Sequence, residues 1–186
     1  MRRAVPYGVD MRWDELFADL AGQLEAGLGA ERAELVAELT RAERAGVALA
    51  GRFRAHRGPL RLTLRTGEQL AGEVTDAGTD WILLATPPRE HLVPLASVAS
   101  VAGLTERVAP PETAALARLS IASALRALAR DRQLVRVLTP GSEILGLVAA
   151  VGADHVDVAP VANDTMRPSG DRVTVPLHAV VRVTHG

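Results

Sequence analysis

Hydrophobic positions in the first part of the chain recur every three or four residues, which is the spacing of a helical face. From Asp10, which can act as an N-cap, Trp13, Leu16, Phe17, Leu20 and Leu24 share one face, with Asp14, Glu15, Asp19 and Gln23 opposite. Gly27 and Gly29 then predict a break. A second helical run, from Ala30 to His56, carries Leu35, Leu39, Gly46, Ala50 and Phe53. It ends at Gly58-Pro59, because the residue before a proline is pushed out of the helical region. A third helix is predicted from Glu112 to Arg130, entered at Pro110-Pro111, where a missing amide proton costs nothing. Its face holds Leu116, Leu119, Ala122, Leu125 and Ala129. Core packing is the plain reading of all three stripes.

From Leu60 the period changes to two. Leu60, Leu62 and Leu64 alternate with Arg61, Thr63 and Arg65, and Thr66-Gly67 forms a turn. Strands follow at Leu70–Val74, Trp81–Ala85, His91–Leu95 and Val98–Val101, punctuated by a Gly-containing turn over 76–80 and by Pro87-Pro88. Five short strands so closely spaced suggest a small barrel rather than a parallel α/β sheet.

The second half repeats this pattern. Adding 74 takes Gly67, Gly72, Val74, Gly78 and Asp80 onto Gly141, Gly146, Val148, Gly152 and Asp154. Adding 82 takes Val93-Pro94-Leu95, Val98 and Val101 onto Val175-Pro176-Leu177, Val180 and Val183. The change from 74 to 82 implies an eight-residue insertion at Asn163–Gly170, a run of turn formers that reads as a hairpin tip. Duplication follows from the match. Gly67 and Gly141 are expected at positive φ in tight turns. Gly72 and Gly146 are expected where a strand bends sharply or another backbone comes close.

The stretch Leu62-x-Leu64-x-x-Gly67-x-x-Leu70-x-Gly72-x-Val74, echoed by Val137-x-x-x-Gly141-x-x-Ile144-x-Gly146-x-Val148, resembles the Sm-like family of RNA-binding small barrels. The resemblance covers residues 57–104 and 131–184 with their leading helices, and leaves out the helix at 10–27. The chain is also similar to a set of actinobacterial proteins that open with a stretch like Met11-Arg12-Trp13-Asp14-Glu15-Leu16-Phe17. The Sm-like resemblance implies a helix and five strands per copy, ring formation through edge strands, and RNA as ligand. At the places where that family reads RNA, this chain has Asp80-Trp81 and Asp154-His155, then Pro94-Leu95 and Pro176-Leu177.

Composition narrows the chemistry. The chain of 186 residues is 48% hydrophobic and 23% charged, in the range of a folded protein. Its formal charge of −1 supplies no overall basic field. Cysteine is absent, which excludes disulfides, thiolate metal sites and a cysteine nucleophile. All 21 basic residues are arginine, so no P-loop lysine exists. His56, His91, His155, His178 and His185 form no metal-type sequence pair, and a composite site at Asp154, His155 and Asp157 reads better as water-facing strand ends. The Met1-Arg2-Arg3 start lacks the apolar stretch of a signal peptide, residues 1–10 read as a loose tail with Met11 an alternative start, and no apolar run reaches the roughly 20 residues of a membrane span. A cytoplasmic protein is the expectation.

Two basic corners remain. Arg52, Arg54, His56, Arg57, Arg61 and Arg65 run off the second helix into the first strand, and Arg126, Arg130, Arg132 and Arg136 lie in the matching region of the second copy. Arginine forks to phosphate and stacks on bases, so these corners are the candidate grip on single-stranded RNA, although only Phe53 and Trp81 lie near as aromatic platforms. The face Trp13, Leu16, Phe17, Leu20, Leu24 is the candidate homo-oligomer contact. The expected architecture is α+β: a tail over 1–10, a helical region over 11–56, a five-stranded antiparallel Sm-like or SH3-like barrel over 57–104, a linker over 105–111, and a helix with a second such barrel over 112–186. The expected function is non-enzymatic RNA binding without cofactor, metal or membrane. The alternative is a protein-interaction or oligomeric assembly module without nucleic acid, its protein partner unspecified.

Overall fold

In the computed structural model, which describes residues 10–110, 120–162 and 167–185, the first element is one helix, α1 (Asp10–Ala45). It runs through Gly27 and Gly29, so the expected break there does not occur. Each glycine costs a helix about 1 kcal/mol against alanine, and with no proline nearby that is too little to end it. The interruption falls later, ahead of α2 (Leu49–Ala55). The chain divides into two units, Met1–Val47 and Ala48–Gly186.

The second unit holds α2 and then β1 (Pro59–Leu64), β2 (Gln69–Ala77), β3 (Trp81–Thr86), β4 (Arg89–Pro94) and β5 (Val98–Ala102). After α3 (Ile121–Arg130) come β6 (Leu134–Leu138), β7 (Glu143–Val151), β8 (His155–Ala162), β9 (Arg167–Pro168), β10 (Val173–Pro176) and β11 (Arg182–His185). Helix α3 is thus seen over the last part of its expected span, and 111–119 lie outside the described residues, as do 163–166 of the expected hairpin tip. The strand positions follow the period-two pattern: Leu60, Leu62 and Leu64 are buried between less buried neighbours.

The strands do not make two separate five-stranded barrels. They form one antiparallel sheet in the order β10-β8-β7-β6-β11-β4-β3-β2-β1-β5, with β9 added beside β8. The path is open: β5 and β10 end it. The reason lies in β11, which pairs with β6 on one side and with β4 on the other, in the registers Val183↔Val137 and Val183↔Leu92. Closing each set on itself would need β4 against β5 and β10 against β11, and the β4·β11 pairing uses one edge of each.

The two cores interpenetrate for the same reason. Trp81 and Leu92, from the first set of strands, pack with Leu125, Val137, Val156 and Val183 of the second. Val181, just before β11, packs with Phe53, Leu62, Leu84 and Val93. Burying apolar groups from both sets in shared clusters makes each set depend on the other.

Local geometry recurs between the sets. A Cβ on Gly72 would lie 2.2 Å from the carbonyl oxygen of Ala85, and one on Gly146 would lie 2.4 Å from that of Ala159. Both glycines therefore sit where the facing strand's backbone comes too close for any side chain. The register of β2 on β3 shifts between Val74 and Asp76, and that of β7 on β8 between Val148 and Ala150. One expected match fails. Leu62 pairs with Leu70, but Val137 pairs with Ile144, so the second hairpin turn is one residue shorter. Gly67 has φ 86°, whereas Gly141 does not lie in the left-handed region and is not its counterpart.

Candidate functional site

The first basic corner is mostly tied to its own backbone. Arg52 donates from Nε to the Thr105 carbonyl at 2.9 Å, and Arg54 from Nη1 to that of Gly78 at 3.2 Å. Arg57 Nη1 reaches the carbonyls of Arg54 and His56, and Arg65 that of Ala96. His56 is buried, its Nε2 3.0 Å from the Gly58 carbonyl while Nδ1 accepts from the Thr105 amide. These contacts pin α2 to the strand ends and to the segment after β5. Arg61 is exposed on β1.

In the second corner, Arg126 donates to the Gly152 carbonyl at 3.1 Å, and Arg126, Arg130, Arg132 and Arg136 are all exposed. The ten residues do not form one surface. Arg54 and Arg57 line a cavity beside Val74 and Asp76, Arg65 lines another beside Ser97 and His178, and Arg126 and Arg130 flank a third. Neither expected aromatic platform is available for stacking: Phe53 is fully buried and Trp81 is 6% exposed. On α1, Phe17, Leu20 and Leu24 are exposed, while Trp13 and Leu16 lie outside the residues whose side chains are described.

The most developed polar constellation is at the β4·β11 junction, which sequence reasoning did not single out. Arg182 on β11 is 14% exposed and reaches across to the Glu68 carboxylate, Nε lying 3.0 Å and 3.1 Å from its two oxygens. It also faces Glu143 at 3.5 Å and donates to the Thr184 hydroxyl. That hydroxyl lies 2.9 Å from Nδ1 of His91, whose Nε2 lies 2.8 Å from the hydroxyl of Thr86. With Arg182 donating to Thr184, we assign the Thr184 proton to Nδ1 and an Nε2–H to Thr86, a chain satisfied by neutral imidazole. Nearby, Ser97 Oγ lies 2.7 Å from the carbonyls of Pro94 and Val181, donating to one at a time. Asp80 accepts from the Ile121 amide at 2.8 Å and so caps α3 from the first set of strands. A sequence signal for these groups was present only as polar residues in alternate positions of apolar strands, Thr184 and His91 among them.

Burial holds His91 below the ordinary histidine pKa, and the positive charges of Arg182 and Arg89 reinforce this against the opposing carboxylate of Glu68. A base whose folded pKa is depressed binds more protons unfolded, so its contribution is complete above the unfolded value near 6.5 and is lost as pH falls below it. Urea midpoints of the wild type should therefore drop on going from neutral to mildly acidic pH, and by more than those of His91→Gln, which keeps polar contacts without titrating. Parallel pH profiles for the two proteins would refute this role. His155 shifts the other way, raised by its hydrogen bond to the Asp154 carboxylate at 2.9 Å. Being exposed and common to both proteins, it cancels in the comparison.

His155 and Asp154 form an exposed pair, and the nearby Asp157 accepts from Thr174 Oγ1 at 2.6 Å. Among the described residues no three His, Asp or Glu side chains are grouped to hold a metal ion, and no helix is long and apolar enough to cross a membrane.

Two surfaces stand out among the described residues. One is the pair of sheet ends, β5 with sequence VASVA and β10 with VTVP, each hydrogen-bonded on one side only among the described residues. The other is a groove of about 540 Å³ between α3 and the β3–β4 hairpin. Trp81, Leu83 and Leu92 form its floor, Ala124, Ala127 and Leu128 its wall. The chain matches no known protein-family model and no curated protein.

Proposed function

We propose that this chain is a non-enzymatic assembly protein that joins copies of itself edge to edge through its sheet. One observation carries the reading: β11 already pairs with β4 inside the chain, and the strands equivalent to them by the repeat, β5 and β10, are left as open ends. The same offset of 82 takes Pro94 of β4 to Pro176 of β10, and Val101 of β5 to Val183 of β11. This supports the tandem-repeat reading. Transposing the internal register puts Val101 opposite Thr174 and Ala102 opposite Val173 of the next copy. Neither edge strand carries a charged residue; both are short, and the one proline, Pro176 at the end of β10, lies outside the transposed pairs. Such a contact is head-to-tail, and it propagates into a ring or a filament.

RNA binding has less support, because Arg52, Arg54, Arg57, Arg65 and Arg126 already donate to backbone carbonyls. A head-to-tail edge makes a specific demand on variants. Ser100→Lys should spoil the β5 edge and Thr174→Lys the β10 edge, so each protein alone should lose the edge contact and give a smaller mass than the wild type by light scattering. Mixed in equal amounts, they retain one good edge of each kind and should give a mass above that of either alone. Wild-type protein that stays a single chain at all concentrations, or a mixture no heavier than either variant by itself, would overturn the proposal.

A further inference from the structure

We infer that the groove between α3 and the β3–β4 hairpin receives the α1 helix of a second copy of this chain. The groove has a helix-binding form: an apolar floor of Trp81, Leu83 and Leu92, a wall of small and branched side chains from Ala124, Ala127 and Leu128, and an open top. Its rim is positive. Arg126 and Arg130, both exposed, flank it, and no carboxylate among the described residues lines it. On α3 the wall runs from Ser123 to Arg130, on the order of 11 Å at 1.5 Å per residue.

Helix α1 has the complementary features. Phe17, Leu20, Leu24 and Leu28 recur at intervals of three and four residues, and all are exposed, at 62%, 51%, 66% and 43%. They cover about three turns, enough to fill the groove from end to end. The charge is of the matching sign: Glu25, next to Leu24 and three residues before Leu28, borders the stripe, and α1 as a whole has nine carboxylates against four arginines. That net charge also argues against the obvious competitor, two α1 helices pairing with each other, since two helices of like net charge repel. An acidic apolar helix and an apolar groove edged by arginines instead combine burial with charge complementarity. The contact does not depend on the β5–β10 edge and gives the chain a second means of association.

The absence of cysteine makes a direct test possible. Leu24→Cys is placed in one chain and Ala127→Cys in a second, differently tagged chain, both carrying Ser100→Lys and Thr174→Lys so that edge pairing cannot bring them together. Under mild oxidation the mixed sample should give a disulfide-linked heterodimer that outnumbers either homodimer by severalfold. Arg126→Glu with Arg130→Glu in the groove chain should reduce its yield severalfold, and high salt should do the same. Absence of the heterodimer would overturn the inference. So would crosslinking confined to a single chain bearing both cysteines, or yields unaffected by the arginine reversals.

Discussion

Gly72→Ala and Gly146→Ala should each lower the stability of the second unit by about 3 kcal/mol, the upper part of the usual range for forcing a group into filled space. The cause is the same at both places. The new methyl group would meet the carbonyl oxygen of Ala85 or Ala159 at 2.2 and 2.4 Å, and a backbone atom in a paired strand cannot turn aside as a side-chain tip can. The glycines of the hairpin turns separate sharply from these. Gly67→Ala, at φ 86° with open space around it, should cost about 1 kcal/mol from backbone strain alone. Gly141→Ala has open space and ordinary backbone, and should be neutral or slightly stabilising through the unfolded chain. Urea unfolding of the four variants checks the order. A Gly146 variant as stable as the Gly141 variant would mean that β7 and β8 do not approach as closely as described.

Trp81→Ala should cost about 3–5 kcal/mol, as for other large buried aromatic side chains. Its interest lies in where the cost is felt. Trp81 belongs to β3 but packs in the cluster of Leu125, Val156 and Val183. Removing it should lower the protection of amides in β6–β8 as much as those in β1–β4, with both sets lost at one urea concentration. Independent barrels would instead give two transitions, with only the first displaced. Hydrogen exchange read strand by strand separates these outcomes, and two unlinked transitions would contradict the continuous sheet.

The strands were legible because burial in a sheet leaves a period-two trace, and Leu60, Leu62 and Leu64 show it plainly. The mid-strand glycines were legible too, because nothing but a close backbone approach makes glycine useful there. Gly141 was misread because spacing cannot see a turn shortened by one residue, and the unbroken α1 because two glycines weaken a helix without stopping it. The basic corners were legible only as charge. Arginine in sequence shows its charge, but whether its fork meets solvent or a carbonyl depends on the loop beside it, as Arg52 meeting Thr105 and Arg54 meeting Gly78 illustrate.

What the sequence determined by itself is the alphabet of this protein: its strands, and the places where a side chain would not fit. Those properties are local, set by alternation along a strand and by the space around one residue. Only the tertiary structure decided that β11 lies against β4. A strand edge offers the same amide and carbonyl groups to any partner, so the choice between closing on its own set and joining the other leaves almost no mark on residue type. It is settled by what surrounds the edge, here Arg182 reaching Glu68, His91 between two threonines, and Trp81 buried among the side chains of the other half.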